Sequence, residues 1–311
     1  MNDAAVTIAV VGTGDMGSAV GGALVRAGYR VVTAGEGRGA ASRGLAAQAG
    51  IEDVGSLAAA VRAASLVLSI VPPAAAAGFA AEFVRAVAVT GARPAFADCN
   101  AVAPATVRAI EAIVAPAGVD FVDVGIVGRG PRPGGERTRF YVSGAARRAV
   151  LDLAVPAIEL IDLGAQVGTA SALKMAYSSL NKGVDALLTA VLLAAERLGV
   201  RPALMRELAG SQAEALARMQ TRVPFLAATA QRYAPEMAEI AATYESVGVT
   251  GDFHRGAQWL YALLATTPLA AETRATLPRE RSLEEAIAVF AAAVGQAQAV
   301  TGSLSRDRDT R

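Results

Sequence analysis

The 311-residue chain has one cysteine, Cys99, and one histidine, His254. A lone thiol cannot form an internal disulfide, and a lone imidazole excludes a multi-histidine metal site, so a reducing, cytoplasmic setting and no metal are expected. Aromatic residues are scarce, 5% of a chain that is 53% hydrophobic, and the apolar content is mostly alanine, which favours closely packed helices over an aromatic-rich β-sandwich. Charge of one sign is lacking too: 29 Lys and Arg stand against 28 Asp and Glu. No field exists to attract nucleic acid or an anionic membrane, which leaves a small-molecule partner. The opening "MNDAAVTIAVVG" has no basic n-region of a signal peptide. The uncharged run from 63 to 81 contains Pro72 and Pro73 and divides into a strand, a turn and a helix start, so no membrane span is expected.

What is present begins with alternation. From residue 6 to about 163, short β-branched runs ("VTIAVVG", "RVVTA", "SLVLSIV", "PAFADC", "VDFVDVG", "RFYVSG", "IELIDLG") alternate with Ala-rich helical stretches. Strands alternating with helices imply βαβ units and a mainly parallel, doubly wound sheet covered on both faces. After Gly168 the β pattern stops and Ala/Leu periodicity takes over, with breaks at 199–202, Pro224, Pro235, 248–251 and Pro268. The expected organisation is a Rossmann-type α/β domain over 1–165, an all-α domain over 166–302 and a flexible tail over 303–311, with no internal repeat.

Directly after the first strand, "VVGTGDMGSAVGG" sets Gly12, Gly14 and Gly17 in G-x-G-x-x-G register. The bare pattern is weak, but here it follows a strand and opens a helix, the context that makes it a dinucleotide fingerprint. The glycines permit a tight turn and close approach to a pyrophosphate, and the helix N-terminus supplies N–H donors. Beyond the second strand, Glu36 stands where an acid binds ribose hydroxyls, which favours NAD. Arg38, Ser42 and Arg43 offer pairing for a 2′-phosphate, which favours NADP. The balance leans slightly to NADP, with NAD kept open.

Further along, "GTASALKMAYSSLNKG" carries Lys174, Ser178, Asn181 and, just after it, Asp185 at offsets of four, seven and eleven, on one helical face. A solvated face would explain this, and so would an active site. In the order in which they occur, "VVGTGDMG", "LVLSIVPP", "ADCNAVAP", "VDVGIVGRG" and this segment resemble the β-hydroxyacid dehydrogenases, relatives of 3-hydroxyisobutyrate and 6-phosphogluconate dehydrogenase. With "D-x-G-I-x-G…P-R-P-G" at 123–134 and "EMAEIAATY" at 236–244, the chain is most similar to the branch with a DUF1932 C-terminal domain. The resemblance covers nearly the whole chain.

The resemblance implies a cofactor loop on Gly12, Gly14, Asp15, Met16 and Gly17, with a wall beside the adenosine and ribose from Ser69 through Val71 to Pro72. It implies that Asn100 faces the nicotinamide end, that Gly125, Ile126, Val127, Gly128 and Arg129 form the substrate loop, and that Lys174 is catalytic, with Ser178 or Asn181 holding the substrate oxygen or orienting the amine. Two departures stand out. Val127, Gly128 and Arg129 replace the usual Ser-Gly-Gly, and Ser178 replaces the Asn expected four residues after the lysine. A bulkier substrate is therefore compatible, with Arg129 an anchor for a carboxylate or phosphate.

Oxidising a secondary alcohol by hydride transfer leaves a hydroxyl proton, and a positioned base supplies its route. Lysine serves when burial or a neighbouring positive charge lowers its pKa. Other residues read more simply. Asp185 is expected to be solvated or cap-side, Glu236 and Glu239 to be salt-bridged at the surface, Trp259 and Tyr261 to pack in the helical core, and His254 to be structural. The activity expected is an NAD(P)-dependent hydroxyacid or secondary-alcohol dehydrogenase. An imine reductase of the same architecture and a non-catalytic nucleotide sensor are the alternatives. The Ala/Leu content of the helical half, together with the habit of relatives, points to a homodimer.

Overall fold

The computed structural model describes residues 6–273, 276–278 and 280–306, with side chains described as far as residue 296. The chain forms two compact units, Met1–Ala176 and Tyr177–Arg311.

The first unit is built on β1 (Thr7–Val11), α1 (Asp15–Arg26), β2 (Arg30–Thr33), α2 (Ala40–Gln48), β3 (Glu52–Asp53), α3 (Leu57–Ala63), β4 (Leu66–Ser69), α4 (Ala76–Thr90), β5 (Ala95–Asp98), α5 (Pro104–Val114), β6 (Phe121–Val127), β7 (Thr138–Ser143), α6 (Arg148–Leu151) and β8 (Ile158–Asp162). The eight strands form one sheet in the order β3-β2-β1-β4-β5-β6-β7-β8. All pairings are parallel except β6 with β7. The order reverses between β1 and β4, which opens a crevice at the carboxyl ends of those strands, the usual ligand position in doubly wound sheets.

Alternation along the central strands divides the core between the two faces. Ile8, Val10, Leu66, Leu68, Val122 and Val124 pack on one side. On the other, Ala9, Val11, Val67 and Phe96 pack with Phe79 and Phe83 of α4. The few aromatics are concentrated there, with Phe96 4.7 Å from Phe83 and 5.8 Å from Phe121, ring centre to ring centre. Residues Pro73–Thr90 have the length and composition to cross a membrane, at a mean hydropathy of 1.2. In this fold Phe79, Ala80, Phe83, Ala86 and Val87 face the sheet while Glu82 and Arg85 are exposed.

The helical half consists of α7 (Thr169–Arg197), α8 (Arg201–Ser211), α9 (Ala213–Arg222), α10 (Ala227–Glu245), α11 (Asp252–Leu264) and α12 (Leu283–Arg306). The breaks at Pro224, 248–251 and Pro268 fall between these helices and that at 199–202 runs into the first turn of α8, which holds Pro202, whereas Pro235 lies inside α10. Its ring removes one helical hydrogen bond, but the buried side chains of Glu236, Met237 and Ile240 carry the helix past it. Helix α12 runs through Arg306, so residues 303–306 of the expected tail are helical, and 307–311 lie outside the described residues.

The units divide at 176, not at 165. The start of α7 belongs to the sheet because Asp123 of β6 accepts hydrogen bonds from the Gly168 and Ser171 N–H groups at 2.8 and 3.2 Å. A carboxylate at a helix N-terminus satisfies free donors and complements the helix dipole, and this one ties the first turns of α7 to β6.

Candidate active site

At the carboxyl end of β1, Gly12 has φ +92°, and a Cβ there would lie 2.3 Å from the carbonyl oxygen of Ile70, just beyond β4. A Cβ on Gly17 would lie 2.1 Å from the carbonyl oxygen of Gly12. Both glycines are thus required by close backbone approach. Gly14, the N-cap of α1, differs: no side chain caps the helix and nothing lies within 4 Å of its Cβ position. The first-turn N–H groups thus lack a side-chain cap, and such a helix N-terminus suits an anion. Asp15 is exposed and Met16 half-buried beside it.

Thr13 Oγ1 bonds Ser42 Oγ at 2.9 Å, which joins the glycine loop to the start of α2. Arg38 is half-buried, and Glu36 and Arg43 are exposed. Gly39 leaves the α2 N-terminus without a side-chain cap. Neighbouring Gly35 donates its N–H to Asp53 at 2.9 Å, an acid that the sequence reading did not single out.

Across the switch point, Asn100 is buried and fully engaged. Its Oδ1 accepts from the Val71 N–H at 2.7 Å, and its Nδ2 donates to Ser69 Oγ at 3.0 Å and to Asp98 at 2.8 Å. The side chain expected to face the nicotinamide therefore ties the β4 and β5 ends together and holds the backbone before Pro72. Burial pushes the Asp98 carboxyl up to about 7, against the lowering effect of the Asn100 hydrogen bonds. Burial likewise raises the Cys99 thiol well above its usual value.

The segment expected to be a substrate loop is strand as far as Val127. Ile126 and Val127 belong to β6, paired with Phe140 and Arg139, and their side chains are buried. The apolar run extends the ladder, which takes both side chains into the interior. The turn proper is Gly128, at φ +109°, with exposed Arg129. Next to it, Gly130 packs on the first turn of α1, where its Cβ would lie 2.8 Å from Ala19 Cβ and 3.8 Å from Met16 Sδ. Lys174 is half-buried on α7 and donates from Nζ to the Ile126 carbonyl at 2.6 Å.

The second unit holds the rest of the polar line. Ser178 is buried and accepts from Lys182 Nζ at 3.3 Å. Lys182 pairs with buried Glu236 at 2.5 Å and stands 5.0 Å from the Tyr233 ring centre. Glu236 is thus an interior partner and not a surface charge. Asn181 is half-buried, and its carbonyl accepts from Arg218 at 2.7 Å. Asp185, expected to be solvated, is fully buried between Arg218 and Arg222, 2.8 Å from each. Trp259, expected in the core, is 57% exposed, while Tyr261 is fully buried. His254 is buried, with Nε2 3.1 Å from Ser179 Oγ and burial holding its pKa below the usual range. Among the described residues no three His, Cys, Asp or Glu side chains gather as a metal site would need.

The NAD-binding domain of 6-phosphogluconate dehydrogenase matches residues 7–159, and the domain of unknown function DUF1932 matches 195–264. The chain belongs to the β-hydroxyacid dehydrogenase family, in its DUF1932-bearing branch. Its NAD-binding domain makes it an NAD(P)-dependent oxidoreductase with a nicotinamide cofactor. A conserved hypothetical protein from Sinorhizobium meliloti is 28% identical over 94% of this chain and 97% of its own, with a TM-score of 0.60. A conserved protein of unknown function with structural similarity to 3-hydroxyacid dehydrogenases is 27% identical over 83% and 99% of the two chains, at 0.60. The 3-hydroxyisobutyrate dehydrogenase of Mycobacterium tuberculosis, solved with L-serine, shares the fold at 21% identity, 91% and 98% coverage and 0.61. No curated protein matches the chain.

Proposed function

We propose that this oxidoreductase moves hydride between a nicotinamide cofactor and a hydroxyacid or related secondary alcohol, or the corresponding carbonyl, with Lys174 as acid/base. One observation carries the reading: β6 holds the Lys174 amine at the Ile126 carbonyl, and the turn that leaves the same strand packs on the first turn of α1 behind the glycine loop. Gly12, Gly14 and Gly17 would hold the pyrophosphate, and Asn100 fixes the Val71 backbone. A nicotinamide bound there would supply the hydride acceptor or donor. Lys174 takes the hydroxyl proton in oxidation and returns it to the carbonyl oxygen in reduction. Arg129, exposed at the turn, is the anchor for a substrate carboxylate or phosphate. Arg38, Arg43 and the uncapped α2 N-terminus favour a 2′-phosphate, hence NADP over NAD.

Replacing Lys174 with Ala lowers turnover by about 10²–10⁴-fold with cofactor affinity retained. The test is a hydroxyacid, ketone and imine panel run with whichever of NADPH and NADH gives the larger thermal shift. Full activity in the variant rejects the role. The second unit we propose to be a dimerisation unit. A cavity of about 720 Å³ there is lined by Leu180, Val184, Leu187, Phe253 and Trp259, and Phe253 is 80% exposed. Such a face suits a second copy of itself.

A further inference from the structure

Asp123 lies within β6 with no exposed surface, and a carboxylate buried so completely needs partners. Its Oδ1 accepts from Ser171 Oγ at 2.7 Å. Its Oδ2 accepts from Ser143 Oγ at 2.9 Å, the Gly168 N–H at 2.8 Å and the Ser171 N–H at 3.2 Å. Ser143 Oγ in turn accepts the Ala170 N–H at 3.0 Å. Donors at the start of α7 are therefore met by side chains from β6 and β7. A local Ser or Thr cap would stabilise a helix end as well. A buried carboxylate is the costlier device, and what it adds is a fixed register between the elements it joins.

The same strand touches α7 twice more, at Ala170 and, one turn on, at Lys174. A Cβ on Gly125 would lie 2.7 Å from the Ala170 carbonyl oxygen and 3.2 Å from Lys174 Cβ, so backbone and helix touch directly. Ile126 then receives the Lys174 amine on its carbonyl.

We propose that Asp123, acting through Ser171 and Ser143, is the positioning residue of the Lys174 amine: it sets the height and rotation of the first turns of α7 on β6. This rests on Lys174 being the acid/base. The residue never meets substrate; it determines where the reacting amine stands, and misplacement of about an ångström costs on the order of 10²-fold in rate.

The chain has only two lysines, Lys174 and Lys182, which allows a direct readout of position. Asp123→Asn, Ser171→Ala and Ser143→Ala are compared with the wild-type protein in three measurements: kcat and KM, NADPH affinity, and acylation rate of each lysine by mass spectrometry, with Lys182, paired to Glu236, as internal reference. The expected result is a kcat about 10²-fold lower for Asp123→Asn, a smaller loss for each serine variant, unchanged NADPH affinity, and faster acylation of Lys174 with Lys182 unchanged. The serine variants keep the carboxylate and serve if Asp123→Asn does not fold. Wild-type kcat, or lost kcat with unchanged Lys174 acylation, overturns the proposal. If Lys174→Ala keeps full turnover while the three variants still speed Lys174 acylation, the proposed function falls and the positioning by Asp123 stands.

Discussion

Two glycines two residues apart should fail in different ways when each is changed to alanine. At Gly14, φ is −73° and ψ −163°, a conformation any residue adopts, and the new methyl meets nothing within 4 Å. The stability cost is then only the poorer capping by Ala, less than about 1 kcal/mol. The methyl does occupy the space through which a phosphate reaches the first N–H groups of α1. Hydrogen bonds to a charged group contribute about 1.5–3 kcal/mol, so losing one weakens cofactor Kd by roughly 10- to 100-fold. At Gly12 the sense is reversed. An L-residue at φ +92° costs about 1–2 kcal/mol, and a Cβ 2.3 Å from a backbone oxygen forces displacement of β4's end, an overpacking of about 1–3 kcal/mol. The sum is about 2–5 kcal/mol, at about 2–4 °C in Tm per kcal/mol for a domain of this size. Differential scanning fluorimetry gives Tm and isothermal titration with NADPH gives Kd. Gly14→Ala with wild-type affinity, or Gly12→Ala with wild-type Tm, refutes the reasoning.

Asp98 titrates near 7 in the folded protein against 3.8 unfolded because burial disfavours its charge. The folded state then binds the extra proton between those values, so the stability Asp98 supplies is present below about pH 4 and lost as pH rises through 7. The Tm of Asp98→Asn minus that of the wild type should rise over that window and then level off; a flat difference counts against it. Asp185→Ala leaves Arg218 and Arg222 without their shared carboxylate. Both are partly exposed, so the loss should sit near about 3 kcal/mol, the low end for a broken buried pair, as read by urea denaturation. Leu187→Glu, on the exposed apolar face, should convert a dimer to a species of one chain's mass in sedimentation velocity; a monomeric wild type removes the dimer proposal.

The seven apolar runs are legible as strands because strands covered on both faces are largely apolar, as β1 is after Thr7 and β6 is on either side of Asp123. β3 is not legible. It consists of Glu52 and Asp53, two exposed residues on the sheet edge, with nothing apolar to bury and so no pattern to leave. The end of α8 at Ser211 is announced only by Gly210 in its last turn, while Pro235 announces a break that packing of its neighbours overrides. Buried charge is the hardest feature to read from spacing. Asp185 finds Arg218 33 residues on, and Lys182 finds Glu236 54 residues on. Periodicity registers only neighbours on the same element.

That limit explains why the polar line on α7 held less information than its regularity suggested. Lys174, Ser178 and Asp185 do share a periodicity, yet their partners divide them: the amine goes to a β6 carbonyl, the hydroxyl to Lys182, the carboxylate to two arginines on α9. Equal spacing establishes a common face and nothing about common work. The residues that we propose place the amine, Asp123, Gly125 and Ser171, lie up to 48 positions apart and have no helical spacing to betray them. For a site assembled between a strand and a helix, the candidate amine is therefore legible from motif, whereas the register that holds it is legible only once β6 and α7 are seen in contact.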